Sequence, residues 1–241
     1  MKGQPFFYQL FYGFEFHRYF VRPPDFESKM FQIRYSVKTA KQLYIHIHRN
    51  NGIHPCYISI YDYGRNEKFK KNKLEHHANY DRAFFDFDIN NNRINKIKNQ
   101  LQDLRNRGLH YRQELQNELK EKLQKLIIDE KIAESAINQA KDFSIRFKDY
   151  FGSYPMLFFS GCKGCHAYTF FEPINDVNIN LSLSWFAETI KQIYKYQTLD
   201  LSVNKDAKNR LSRVPFSKHQ YTGLTVVPFQ LNDSYEEIMA K

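Results

Sequence analysis

At 241 residues and 29.0 kDa the chain is long enough for a real core, and 42% hydrophobic with 17% aromatic residues excludes a disordered composition. A net charge of +10 and a pI near 9.3 point to a polyanionic partner, either nucleic acid or an anionic membrane surface. No apolar run approaches the ~18 residues of a transmembrane helix, no secretory signal is visible, and three sparse cysteines fit a reducing compartment. No membrane partner is therefore expected, and the expected location is cytoplasmic, beside the nucleoid if the source is prokaryotic.

Residues Met1 to Phe20 are amphipathic, helical or extended, and too rich in aromatics for a surface loop, until Arg22-Pro23-Pro24 breaks them. Strands are predicted over Phe31 to Val37, Leu43 to Ile47 and Tyr57 to Tyr61; the second alternates, with Tyr44, His46 and His48 on one face. The lysine-rich stretch Arg65 to Lys73 reads as an exposed connector. From Arg93 to Tyr150 helical spacing takes over (Leu115, Leu119, Leu123, Leu126; then Ile132, Ala136, Ala140, Phe143), giving three helices broken near Gly108 and around Asp129. The apolar seam is too short for a sustained coiled coil, so this stretch, 91–150, is expected to be a helical insertion within a single domain, 1–241. Met156 to Phe159 and Ala167 to Phe171 form a predicted hairpin around a small-residue connector, followed by a helix from Leu183 to Tyr196, a Thr222-Gly223 turn and a strand from Leu224 to Phe229.

The strand Phe84-Phe85-Asp86-Phe87-Asp88-Ile89 carries the sharpest signal. Period-two alternation puts Asp86 and Asp88 on one face and Phe85, Phe87 and Ile89 on the other. Carboxylates about 7 Å apart at the Cα atoms can converge on one or two divalent cations, and oxygen-only ligation favours Mg²⁺ or Mn²⁺ over Zn²⁺. The plain alternative is an edge strand with a wet acidic face.

Cys162-Lys163-Gly164-Cys165-His166 matches the C-x-x-C-H pattern of covalent haem attachment, but a glycine-relaxed hairpin between aromatic strands does not resemble a haem-bearing helix. A zinc site needs two further ligands and Cys56 is the remaining cysteine, so no zinc site is predicted. The chemistry of this turn falls to Ser160, Lys163 and His166. A third polar segment runs from Asp200 through Arg210, Arg213, Ser217 and His219 to Gly223. Carboxylates for metals, together with cations and hydroxyls for a leaving pyrophosphate, are what nucleotidyl transfer requires. Neither a Walker-type G-x-x-x-x-G-K-[ST] nor a G-x-G-x-x-G occurs.

These three segments, in this order, resemble the motifs of the archaeo-eukaryotic primase superfamily, which includes the catalytic small subunit of replicative primase and the primase-polymerases of plasmids and viruses. The matching residues are Phe85-Asp86-Phe87-Asp88-Ile89, then Ser160-Gly161-x-Lys163-Gly164-x-His166. The third group is Asp200 continuing into Arg210-Leu211-x-Arg213-x-Pro215-x-Ser217-x-His219-x-x-Thr222-Gly223-Leu224. The resemblance implies a mixed α/β fold of two β-rich halves, joined through the hairpin, around a cleft lined by all three motifs. It makes Asp86, Asp88 and Asp200 the carboxylates of a two-metal Mg²⁺ or Mn²⁺ site. Ser160 and His166 would lie against the incoming nucleotide, Lys163 near its phosphates, and Arg210, Arg213, Ser217 and His219 on the triphosphate. The implied substrates are nucleoside triphosphates and a single-stranded DNA template.

One departure stands out. Many small primase subunits carry a cysteine-rich zinc knuckle between the first two motifs, whereas here no cysteine lies between Asp86 and Cys162 and a helical stretch takes its place. A separate large subunit is thus an expected partner for starting a primer. Basic residues of 65–73 and of the helical stretch are candidates for tracking the template backbone. The resemblance implies a DNA primase catalytic subunit that makes short primers on single-stranded DNA; a primase-polymerase or end-filling repair polymerase extending existing primers, and a non-catalytic nucleic-acid-binding replication module, are the alternative functions.

Overall fold

The computed structural model describes residues 4–12, 18–22, 33–52, 54–62, 79–106, 113–174, 178–205 and 211–241. The aromatic N-terminus supplies a helix, α1 (Gln4–Tyr12), with Tyr8, Phe11 and Tyr12 buried, and then a strand, β1 (Arg18–Arg22). β2 (Ile33–Val37) pairs antiparallel with β1. The strand expected over Leu43 to Ile47 is instead the middle of a helix, α2 (Ala40–Asn50). The residues it buries are Ala40, Leu43, Ile47 and Asn50, a helical stripe rather than alternate positions, and the Thr39 hydroxyl caps its first turn by accepting from the Gln42 amide at 3.3 Å.

β3 (Tyr57–Ser59) joins β1, and β4 (Tyr80–Asp88) contains the acidic stretch. Three helices follow, α3 (Asn92–Asn106), α4 (Gln113–Ile128) and α5 (Glu134–Phe151); the break expected around Asp129 separates the last two, and the one expected near Gly108 lies outside the described residues. The hairpin is β5 (Met156–Phe159) and β6 (Gly164–Ile174). α6 (Ile179–Tyr194) begins four residues before the expected start, and a short α7 (Ser202–Lys205) comes after it. β7 (Leu211–Arg213), β8 (Val227–Phe229) and α8 (Tyr235–Ala240) complete the described chain; the last helix opens with a Ser234/Glu237 capping box.

The strands form two antiparallel four-stranded sheets, ordered β2-β1-β3-β7 and β4-β6-β5-β8, so the fold is mixed α/β. The hairpin lies wholly inside the second sheet and does not join the two halves; both of its strands need β4 and β8 as neighbours to complete their backbone hydrogen bonds.

Strand parity organises the packing. Ala83, Phe85 and Phe87 of β4, with Leu157, Phe159, Cys165 and Ala167 from its neighbours, face a core built with α4, α5, α6 and α8. Phe84, Phe158 and Tyr168 on the opposite face join a second core with α1, α2 and the first sheet. Burying Phe85 and Phe87 completely is worth about 2–3 kcal/mol each, which pins the register and leaves Asp86 and Asp88 on the side facing the first sheet.

Candidate active site

β4 has two edges, and each brings a motif to its acids. Along one edge β6 pairs in register, setting His166 opposite Asp86 and Gly164 opposite Asp88. Gly164 is obligatory there: a Cβ would lie 2.1 Å from the Phe87 carbonyl oxygen and 3.0 Å from the Asp88 Cα. Along the other edge the segment after α6 runs beside β4. The Asp88 amide donates to the Thr198 carbonyl at 2.7 Å, and the Asp200 amide donates to the Asp86 carbonyl at 2.8 Å. Asp200, more than a hundred residues away in sequence, is thereby fixed next to the acidic pair. Asn204 of α7 braces it by donating to the Phe84 carbonyl at 3.0 Å.

The three carboxylates line one cleft of about 270 Å³ together with Ser160, Lys163, His166, Arg213 and His219. Arg213, on β7, is held by β3: its guanidinium lies 4.8 Å over the Tyr57 ring and donates to the Tyr57 hydroxyl at 2.9 Å and to Gln220 Oε1 at 3.1 Å. His219 sits on a tight turn closed by its own carbonyl accepting from the Gly223 amide at 2.8 Å. Its Nδ1 accepts from the amides of Tyr221 and Thr222, both at 3.3 Å, which leaves the ring proton on Nε2. The Thr222 hydroxyl ties this turn to the hairpin by donating to the Gly161 carbonyl at 2.6 Å. Gly161 has φ +80° and a Cβ there would come within 2.9 Å of the His219 Cβ, so the two motifs pack together only through a glycine.

Electrostatics of the acids are unbalanced. Burial pushes the Asp86 carboxyl up to about 8, with the charges of Asp88 and Asp200 adding to the effect against the opposing pull of Lys163 and Arg213. Asp88 pairs with Lys163 at 2.9 Å, and both oxygens of Asp200 accept from Ser202, from its amide and its hydroxyl, each at 2.9 Å. Burial takes His166 down to about 3, Arg213 adding to the drop, so the ring is neutral; its Nε2 lies 3.8 Å from Asp86 Oδ1 and its buried Nδ1 has no partner.

Among the described residues no group of three or more His, Cys, Asp or Glu is gathered as a ready-made metal set, since Asp88 and Asp200 are turned to Lys163 and Ser202. The donor chemistry nevertheless suits a hard divalent cation: three carboxylates around one cleft, one of them raised by its burial and then by the charges of the other two. The cysteines contribute little to such a set. Burial raises all three thiols, and Cys165 points away from the cleft to the Ala136 carbonyl.

Two of the expected phosphate ligands are not in this group. Ser217 is fully buried and donates to the Val214 carbonyl at 2.7 Å, and Arg210, like the connector 65–73, lies outside the described residues. Conversely, Lys98 of α3 and Tyr57 of β3 line the cleft without having been singled out by any motif. A second open cavity of about 420 Å³ shares Asp88, Lys163 and Asp200 with the cleft and continues past Asn90, Thr198 and Ser202.

No family model matches the chain, and no curated protein sequence matches it. Among solved structures it is similar to the polymerase domain of Ligase D from Mycobacterium tuberculosis, determined in complex with DNA. The identity is 14% and the TM-score 0.51, over 95% of this chain and 82% of that one. It is also similar to the AEP domain of the primase-polymerase of cyanophage S-2L, with 13% identity and a TM-score of 0.48 over 96% and 91%. What the chain shares with the Ligase D domain is its fold, the one its motifs implied. No helix among the described residues is long and apolar enough to cross a membrane.

Proposed function

We propose that this chain, built on the fold of a primase-like polymerase domain, catalyses template-directed nucleotidyl transfer and makes short primers on single-stranded DNA. The observation that carries the reading is the meeting of Asp86 and Asp88 of β4 with Asp200, held along one edge of that strand, in the same cleft as Lys163, Arg213 and His219. The carboxylates would hold Mg²⁺ or Mn²⁺, which lowers the pKa of the attacking hydroxyl and neutralises charge on the leaving pyrophosphate.

The chain's own groups do the rest. Arg213, stacked and hydrogen-bonded on Tyr57, presents a fixed guanidinium to phosphate oxygens, and His219 presents a neutral Nε2–H beside it. His166, neutral at any physiological pH, offers a hydrogen bond to the nucleotide without adding charge. The 3′-hydroxyl of a strand, or of a first nucleotide, gives up its proton to solvent as its oxygen bonds to the α-phosphorus. The bond to the β-phosphate oxygen breaks and pyrophosphate departs on the opposite side, as in-line displacement demands. The second cavity, on the far flank of Asp88 and Asp200, gives the attacking strand a route in.

The test is incorporation of labelled nucleotide on a primed template by the wild type and by Asp86→Asn. The variant should incorporate nothing while still binding DNA, and wild-type rates in the variant would refute the reading. The fold likeness to a ligase-associated polymerase domain favours a second reading, extension of a pre-made strand. A primer-free assay, with each nucleotide class and with and without a candidate large subunit, separates the two: synthesis without a primer is expected, and extension alone would select the second.

A further inference from the structure

α3 begins three residues after β4 ends, with the Asn91 side chain capping it by accepting from the amides of Arg93 and Ile94 at 3.0 and 3.1 Å. Its inner stripe is marked by Ile94 and Leu101, both fully buried. Lys98 lies four residues after the first and three before the second, on that same face, where a lysine is out of place unless its ammonium has somewhere polar to go. Its destination is the cleft, beside the Cys162 thiol.

The other cleft cations are committed. Lys163 pairs with Asp88, and Arg213 is shared between Tyr57 and Gln220. Lys98 forms no ion pair among the described residues. The helix that carries it cannot swing away. Arg93 pairs with Glu130, Leu101 and Leu104 pack on Leu119 of α4, and the Tyr221 hydroxyl donates to Gln102 Oε1 at 2.5 Å. Gln124 of α4 donates to the Thr222 carbonyl at 2.5 Å, so the turn bearing His219 is clamped by both helices.

We infer that Lys98 is a substrate-binding residue that grips the polyphosphate tail of the incoming nucleotide, and that α3 and α4 form a wall of the nucleotide site. The inference rests on the nucleotidyl-transfer reading and adds to it a residue and a surface that none of the three motifs contains. An ammonium with a thiol but no carboxylate beside it, held in a cleft with a guanidinium and an imidazole N–H, favours the more highly charged triphosphate over a monophosphate.

The experiment is equilibrium binding of a fluorescent nucleoside triphosphate and of the matching monophosphate to wild type, Lys98→Ala and Lys98→Met, with thermal melts to verify folding. Removing the charge should weaken triphosphate binding by about 10- to 50-fold and monophosphate binding by less than about 3-fold, the scale of one lost charge-assisted contact. Lys98→Met, which keeps the length of the side chain, should behave like Lys98→Ala. Equal losses for both nucleotides would mean a displaced helix and would overturn the assignment, as would unchanged triphosphate binding in a folded variant. Failure of the wild type itself to bind any triphosphate would defeat the nucleotidyl-transfer reading instead.

Discussion

Asp86→Asn should do two opposite things, abolishing catalysis and stabilising the metal-free protein. In the folded chain the Asp86 carboxyl is raised from 3.8 to about 8 by burial and by the charges of Asp88 and Asp200. A group raised on folding contributes stability that is complete below its unfolded value, near pH 4, and is lost as pH climbs through its folded value, near 8. Roughly four pH units at ~1.4 kcal/mol each give a ceiling of about 5–6 kcal/mol. The side chain is 26% exposed, and solvent screening reduces the expected penalty at pH 8 to about 2 kcal/mol. Asparagine keeps the shape and removes the titration. In EDTA the two proteins should therefore melt together near pH 4–5, and the variant should melt about 4–8 °C higher at pH 8. Every other titrating group is common to both, so the difference isolates Asp86. Adding Mg²⁺ or Mn²⁺ at pH 8 should raise the wild-type melting temperature and leave the variant unmoved. A variant no more stable than wild type at pH 8, or a gap that does not change with pH, would refute the claim that burial and the neighbouring acids raise Asp86.

Gly164→Ala places a methyl against backbone on the facing strand; a loss of about 3 kcal/mol or more and no incorporation are expected, read by denaturant melts and a primer-extension assay. Ser217→Ala removes a buried hydroxyl that bonds the Val214 carbonyl, so stability should fall by about 1 kcal/mol while KM for nucleotide stays within twofold; a tenfold rise in KM would restore Ser217 to the triphosphate. Lys163→Met frees Asp88 of its counter-charge. Mn²⁺ titrations should then show tighter binding of the ion alone, and nucleotide affinity should fall by about tenfold, with unchanged Mn²⁺ affinity as the refuting result.

The acidic strand was legible because period-two alternation and burial agree from Phe85 to Asp88, with Phe85 and Phe87 sealed and Asp86 and Asp88 in the cleft. α2 misled because Leu43, Ile45 and Ile47 alternate as a strand would, while Ala40, Leu43 and Ile47 also share a helix face. Over five residues the two periods fit equally well, and the cap at Thr39 was the deciding signal. The position of Asp200 had no local signature. It depends on the isolated pairing of Phe87 with Leu199, a contact between segments over a hundred residues apart, and only the order of the motifs pointed to it. Ser217 shows the converse. It fits the motif in sequence, yet the turn puts its hydroxyl beneath the cleft floor and against its own backbone. Lys98 carried a weak signal, a cation between two core positions of a helix, that no motif search would score.

On the proposed nucleotidyl-transfer reading, the pairing of Lys163 with Asp88 would link cation uptake to nucleotide uptake through a single side chain. While the pair holds, the Lys163 ammonium compensates the charge of Asp88, and burial raises Asp86 to about 8. Once Lys163 lets go, the negative charge of Asp88 stands uncompensated and open to a divalent ion, and the freed ammonium is left in the same cleft as Arg213 and Lys98 with no carboxylate to meet it. Either change alone leaves a charge without its partner, and Lys163, the more buried of the two, bears more of the cost. Made together, with a cation on the acids and a triphosphate on the bases, both charges are matched. The arrangement therefore favours binding of the ion and the nucleotide as one unit over binding of either by itself, and the carboxylates need not be preassembled into a metal set for the cleft to work.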